Sequence, residues 1–297
     1  MKRAFIQLHI AVFLAGFTAV LGKLILLNEG LLVWYRLFLT VIVLAALMYF
    51  SKELKRIPFK DMARISGVGL VLVIHWVCFY GSVKYANISV SLICLSATGF
   101  FTAILEPLIT GRRLVLAELF LGMLAIAGIY IIFDFHPQYK TGIIFGMISS
   151  LGSAVFPIFN KRLLEKYSPR VLTLYELGGG MLVLTMLLPF YLSQFQAAYF
   201  IPTITDWFWL IVLAVVCTVI GFDLQLNALR KIPPFTVNLT YNLEPIYGIL
   251  LAFIFFREDK MFHNQFFLGL ALILLSIFLE MWRVLIRSKA NRILSRA

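Results

Sequence analysis

The sequence predicts an all-α integral membrane protein of ten transmembrane helices, arranged as two inverted five-helix repeats. Three observations carry that expectation. Of the 297 residues, 62% are hydrophobic and only 13% are charged, about half the charge of a typical soluble domain, and the mean hydropathy is +0.95. The apolar residues gather into ten runs long enough to cross a bilayer, for which ~20 are needed. The second half of the chain repeats the pattern of the first.

The runs cover 4–27, 31–50, 62–83, 86–110, 115–133, 142–160, 169–192, 207–229, 234–256 and 262–283. Met1-Lys2-Arg3 leads into the first. No convincing small-residue cleavage site follows, so it reads as a spanning helix and not as a removed signal peptide. Short polar breaks separate the runs: Lys52 to Asp61, Gly111-Arg112-Arg113, Asp134 to Thr141, and Lys161 to Ser168. They leave no room for a soluble domain, and uninterrupted runs argue against a β-barrel of alternating ~10-residue strands. After Arg283 the chain is a basic tail.

The net charge of +12 would suggest nucleic acid on a soluble protein, but the basic residues lie in clusters between apolar runs, as topology demands. With the N-terminus inside and ten spans threaded, 20 of the 26 basic residues fall inside and 6 outside. An odd number of spans would scramble that bias. Both termini are therefore expected to be cytoplasmic. Cys78, Cys94 and Cys217 each sit in an apolar run with no metal-ligand spacing and read as buried small side chains.

Lys84 to Arg113, KYANISVSLICLSATGFFTAILEPLITGRR, aligns without gaps on Arg230 to Asp259, RKIPPFTVNLTYNLEPIYGILLAFIFFRED, at an offset near 146. Both stretches lead to a Phe-Leu-Gly triplet, Phe120-Leu121-Gly122 and Phe267-Leu268-Gly269. Upstream, VWYRLF at 33–38 has its counterpart near TLYELG at 173–178. Five helices per repeat is an odd number, so the second copy enters the membrane upside down. Inverted repeats are a construction principle of secondary transporters. The expected units are 1–137 and 138–285, with 286–297 as the tail.

The Arg36 helix start after a short outer loop, YANISVSLICLSATGF, and NLEPIYGILLAFIFFRE with Pro245, Arg257 and Glu258 resemble the drug/metabolite transporter superfamily, EamA type. The resemblance spans nearly the whole chain. It implies transport of small metabolites such as amino acids, most often export, by alternating access in a bacterial inner membrane, through a cavity lined by spans 1, 3, 4, 6, 8 and 9. The first repeat departs from the pattern: Gly99 stands where Pro245 has its mate, and Arg112 replaces the acidic turn residue. Span 4 is therefore expected to bend at a different depth from span 9.

Ionisable side chains inside a span cost roughly 2.5–3.5 kcal/mol on insertion scales and usually face a cavity or a partner. Glu244, directly before Pro245, is the strongest candidate, and Asn238, Tyr241 and Asn242 share a neighbouring face. His75, Trp76 and Tyr80 form a polar-aromatic group able to stack on a solute or hold a cation, or simply to pack. Ser96 and Thr98 are suited to line the same space or to bind neighbouring helices. Gating or coupling roles fall to Arg36, Glu106, Tyr175, Glu176 and Asp223. Arg36 either snorkels outward or pins the outer gate, Glu106 pairs with Arg112 or Arg113, and Glu176 and Asp223 either couple protons or snorkel to the inner side. Gly142, Gly146 and Gly178-Gly179-Gly180 permit close helix approach, and Pro157 and Pro189 are expected kinks.

No zinc-binding HExxH run, nucleophile motif or P-loop occurs, so an enzyme or an ATP-driven pump is disfavoured. No cofactor or metal is expected. The expected partners are a small-molecule solute and the lipid bilayer, with no nucleic acid, and a homodimer is left open. An uncoupled facilitator or channel, or a non-transporting membrane partner, is the alternative.

Overall fold

The computed structural model describes residues 2–111, 113–135, 137–229, 240–241, 243–261 and 264–294. The first three helices are α1 (Lys2–Leu24), α2 (Glu29–Phe50) and α3 (Phe59–Tyr85). The Asn28 side chain caps α2 by accepting from the Gly30 amide at 2.8 Å. Such a cap satisfies one of the amides a helix start leaves without a partner. Then come α4 (Ile88–Leu95), capped by Asn87 on the Val90 amide, and α5 (Thr98–Thr110), which stops at Gly111 with φ +74°. After α6 (Leu116–Phe135), α7 (Lys140–Leu163) runs through Pro157 and α8 (Pro169–Gln194) runs through Pro189, neither interrupted. Next, α9 (Ile204–Ile211) passes into a π-helical stretch, Val212–Ile220, and on into α10 (Gly221–Leu229). Finally come α11 (Glu244–Phe256) and α12 (Asn264–Leu294).

Among the described residues there is no strand. Eight helical stretches are long and apolar enough to cross a membrane, and two shorter apolar helices, Leu116–Ile132 and Glu244–Phe256, stand beside them. Three expected spans are not continuous α-helix. The fourth breaks at Ser96–Ala97, the eighth carries the π stretch, and the ninth has a turn at Leu243 after helical Thr240–Tyr241. The expectation of different bend depths in spans 4 and 9 fails, because Ala97 and Leu243 are 146 residues apart, the offset of the repeat itself.

Small residues set the helix crossings. In lipid there is no hydrophobic drive between helices, so close backbone approach counts for more. A methyl group at Gly69 of α3 would lie 2.1 Å from the Glu176 carbonyl oxygen of α8, and one at Gly179 would meet the Ser66 side chain. Gly142 and Gly146 of α7 are pressed in the same way on Ala86 and Cys94, whereas Gly178 faces open space. Thus α3 lies between α7 and α8, and residues of the two sequence halves interleave. Gly16, midway along α1, meets the backbone of Glu244 and Gly248, and Gly248 in turn meets Leu92 of α4. Gly128 and Gly269 join α6 to α12 backbone to backbone.

Polar networks lie at both ends of the bundle. At the end richer in basic residues, Arg170 binds Glu53 at 3.1 Å and Asp223 at 2.5 Å, and Tyr175 donates to the Lys55 carbonyl at 2.9 Å. Lys166, in the loop before α8, binds Asp61, whose carboxylate, with Tyr167 beside it, holds the ammonium above its ordinary pKa. At the other end Glu258, fully buried, accepts from Lys23 (2.8 Å), from the Ile88 and Ser89 amides (3.2 and 2.9 Å) and from the Ser89 hydroxyl (2.7 Å). Lys84 crosses to the Ile25 and Leu27 carbonyls, and Tyr191 binds Glu29 at 2.6 Å.

Candidate functional site

Arg36 is the centre of the polar interior. It lies seven residues into α2, about 10 Å from the helix start, and is 4% exposed, so it does not snorkel. Its Nε donates to Thr218 Oγ1 at 3.1 Å and its Nη1 to the Tyr80 hydroxyl at 2.8 Å. The guanidinium stacks over the Trp76 ring at 3.7 Å. Trp76 and Tyr80 can do this together because i and i+4 share a helix face. Of the open readings for this pair, stacking on a solute, holding a cation or packing, the structure shows a cation, and the protein itself supplies it. Thr218 is fixed in turn by donating to the Leu213 carbonyl five residues earlier, at 2.8 Å, the spacing that a π-helical stretch creates. Such stretches are frequent at functional sites.

The interrupted spans lie next to this centre. Pro245 does not kink a continuous helix. It sits in the first turn of α11, where its missing N–H would have had no partner anyway. Glu244 opens that helix, where the helix dipole favours an acidic side chain. It keeps part of its surface accessible although α11 is wedged between α1 and α4. Arg36 lies within electrostatic reach of Glu244 but forms no ion pair with it. At the matching break in the first half, the Cys94 carbonyl accepts from the Ala97 amide at 3.0 Å and from the Ser150 hydroxyl of α7 at 2.5 Å. Backbone freed from a helix within a membrane needs such partners.

The remaining candidates scatter. His75 projects to the other side of α3 from Tyr80. Its Nδ1 meets Ser149 of α7, at 2.8 Å from the carbonyl and 2.9 Å from the hydroxyl, which makes it an interhelical link. Ser96 bonds back to the Leu92 carbonyl at 3.3 Å, and Thr98 reaches the Ser150 carbonyl at 3.5 Å. Tyr241 packs on the cluster of Ala4, Leu8, Val12 and Ala228. Asn238, Asn242 and Arg112 lie outside the described residues. Glu106 sits on α5, one turn before its end, and its carbonyl accepts from Thr110. Glu176, 5% exposed, does not snorkel, because α3 crosses directly over its backbone. Tyr175 and Asp223 belong to the network at the basic end. Sequence reasoning missed Thr218, Thr40 and Arg170. For Arg170 the signal was a charge at the mouth of a span; a threonine among aliphatic residues gives none.

A cavity of about 320 Å³ opens between α2, α8 and the π stretch with α10. Thr40, Met48, Thr218 and Phe222 line it, and Arg170 and Asp223 stand among its walls. It therefore lies against the second, seventh and eighth spans, and only the eighth of these belongs to the expected lining. Among the described residues no cluster of His, Cys, Asp and Glu could hold a metal ion.

Apolar helices around a buried charge define a polytopic integral membrane protein with a polar interior. The pattern of the EamA-like transporter family matches residues 2–134 and again 140–282, and the chain belongs to that family of membrane transporters. The chain is similar to the uncharacterized transporter YetK of Bacillus subtilis, at 24% identity over 291 residues, covering 93% of this chain and 86% of the relative. An uncharacterized transporter of Haemophilus influenzae is 25% identical over 77% of this chain and 75% of its own length. One of Archaeoglobus fulgidus is 28% identical over 148 residues, and that match spans only about half of each protein, 50% and 51%. One solved crystal structure shares the fold with a TM-score of 0.63 at 14% identity, covering 93% of this chain and 96% of the other.

Proposed function

We propose that the chain is a secondary transporter that exports small metabolites such as amino acids, by alternating access between two inverted five-helix units, 1–137 and 138–285. The observation that carries this reading is the pair of helix interruptions at Ala97 and Leu243, 146 residues apart. Interrupted spans at matching positions of two halves are a pointer to a transporter's binding site. The twofold match of the family pattern supports the same division. In this reading the chain crosses a bacterial inner membrane ten times with both termini on the basic, cytoplasmic side, and Glu244 is the candidate for proton coupling.

The test is flux in proteoliposomes. The purified chain should carry amino acids saturably, and a pH gradient should drive uptake that Glu244→Gln removes. Flux that stays linear with concentration would replace the carrier by a channel. Flux in Glu244→Gln that matches the parent at every gradient would remove that residue from the mechanism.

A further inference from the structure

A guanidinium buried in a membrane protein is costly unless it is paired. Arg36 is buried, and among the described residues its partners are a hydroxyl, a phenol and the face of an indole, all neutral. Two of its five N–H donors are thereby used. Glu244 acts on it only at a distance. Arg170 by contrast is matched by Glu53 and Asp223.

The cavity between α2, α8 and α10 does not touch Arg36 itself but is walled by residues next to it. Thr218 lines the cavity and is also the acceptor for Arg36. Thr40, one turn after Arg36 and on the same face of α2, lines it too. Thr40 is 1% exposed, and its hydroxyl has no hydrogen-bond partner. The Thr218 proton is committed to Leu213, so Thr40 is the donor left over. The cavity wall thus offers one unused O–H donor, one helical turn from the Arg36 charge. An oxygen acceptor carrying negative charge satisfies both. Of the other walls, the Asp223 carboxylate is already paired with Arg170, and the rest, Met48 and Phe222 among them, are largely apolar and suit a hydrocarbon body.

We infer that this cavity binds an organic anion, with the solute's carboxylate accepting from Thr40 and drawn inward by Arg36. The assignment rests on the transporter reading for where the solute goes, but not for whether it binds. Arg36 and Thr40 then set specificity for charge, and Trp76, Tyr80 and Thr218 are positioning residues that aim the guanidinium.

The test uses the purified full chain in detergent and three probes of similar shape: phenylacetate, phenylacetamide and phenethylamine. Calorimetric titration should show phenylacetate binding about tenfold tighter than the amide, the worth of a charge-assisted contact, and the amine binding weakest. Thr40→Val should remove most of the preference for phenylacetate over the amide. Arg36→Gln should abolish it, with Arg36→Lys restoring part. If Arg36→Gln does not fold, Thr40→Val still decides. Equal affinity for acid and amide, a preference for the amine, no binding of phenylacetate, or an unchanged preference in Thr40→Val would each overturn the inference. Flux of neutral solutes by a chain without acid preference would overturn it while leaving the transporter reading intact. Acid-selective binding without flux would do the reverse.

Discussion

Tyr80 joins α3 to α2 and fills the core at the same time. Its hydroxyl accepts from Arg36, and its ring packs so closely on α1 that a methyl at Gly22 would lie 2.4 Å from it. Tyr80→Phe keeps the ring and leaves a buried cation short of one acceptor. It should cost about 1.5–3 kcal/mol, the range for hydrogen bonds to charged groups, read as a lower thermal midpoint in detergent. Glycines offer a sharper contrast. Gly69→Ala drives a methyl into the Glu176 carbonyl and should destabilise by about 1–3 kcal/mol. Gly178→Ala faces open space and should stabilise by about 0.5–1 kcal/mol through helix propensity. Equal midpoints for the two variants would refute the crossing described for α3 and α8. Trp76 and Tyr80 were legible in the sequence as a pair because a helix puts i and i+4 together. Arg36 was legible as a charge in an apolar run, but its partner came from a different helix, which spacing within one helix cannot reveal. His75 is one residue from Trp76 and so about 100° around the helix, which carries it to α7.

At the level of elements, hydropathy located the first eight spans to within a few residues but not their interruptions, and the last helix runs on to Leu294, eleven residues past the expected end of its span. Nothing in the composition of Ser96–Ala97 announces a break, since both residues are tolerated in helices and the nearest glycine is Gly99. Pro245 did announce one, although as a kink and not as the first turn of a new helix. The π stretch in Val212–Ile220 is a plain run of aliphatic residues around Cys217 and Thr218, and its one side-chain tie to Arg36 comes from another helix, which the run itself does not announce. The break in the first half leans on Ser150, whose hydroxyl donates to the Cys94 and Gly146 carbonyls. Ser150→Ala should therefore cost about 1 kcal/mol. It should also speed amide exchange at residues 96–98 in particular, and protection there equal to the parent's would show that the break is held by other means.

For the molecule as a whole, the charge asymmetry between ends and the ten apolar runs were readable, but the interleaving of α3 with α7 and α8 was not. In a soluble helix the polar face marks the outside, whereas in lipid both faces are apolar and the pattern loses its direction. The basic end is tied by Arg170 to Glu53 and Asp223. Arg170→Ala should loosen it, so that Thr173→Cys on the cavity wall reacts several-fold faster with a polar maleimide. The native cysteines are all buried and give a quiet background. Unchanged labelling would mean that the ion pairs do not limit access. The opposite end behaves differently because Glu258 joins α1, the start of α4 and the turn after α11 through one carboxylate. Four donors converge on its two oxygens, so one substitution there, Glu258→Gln, would weaken the hold on all three elements at once.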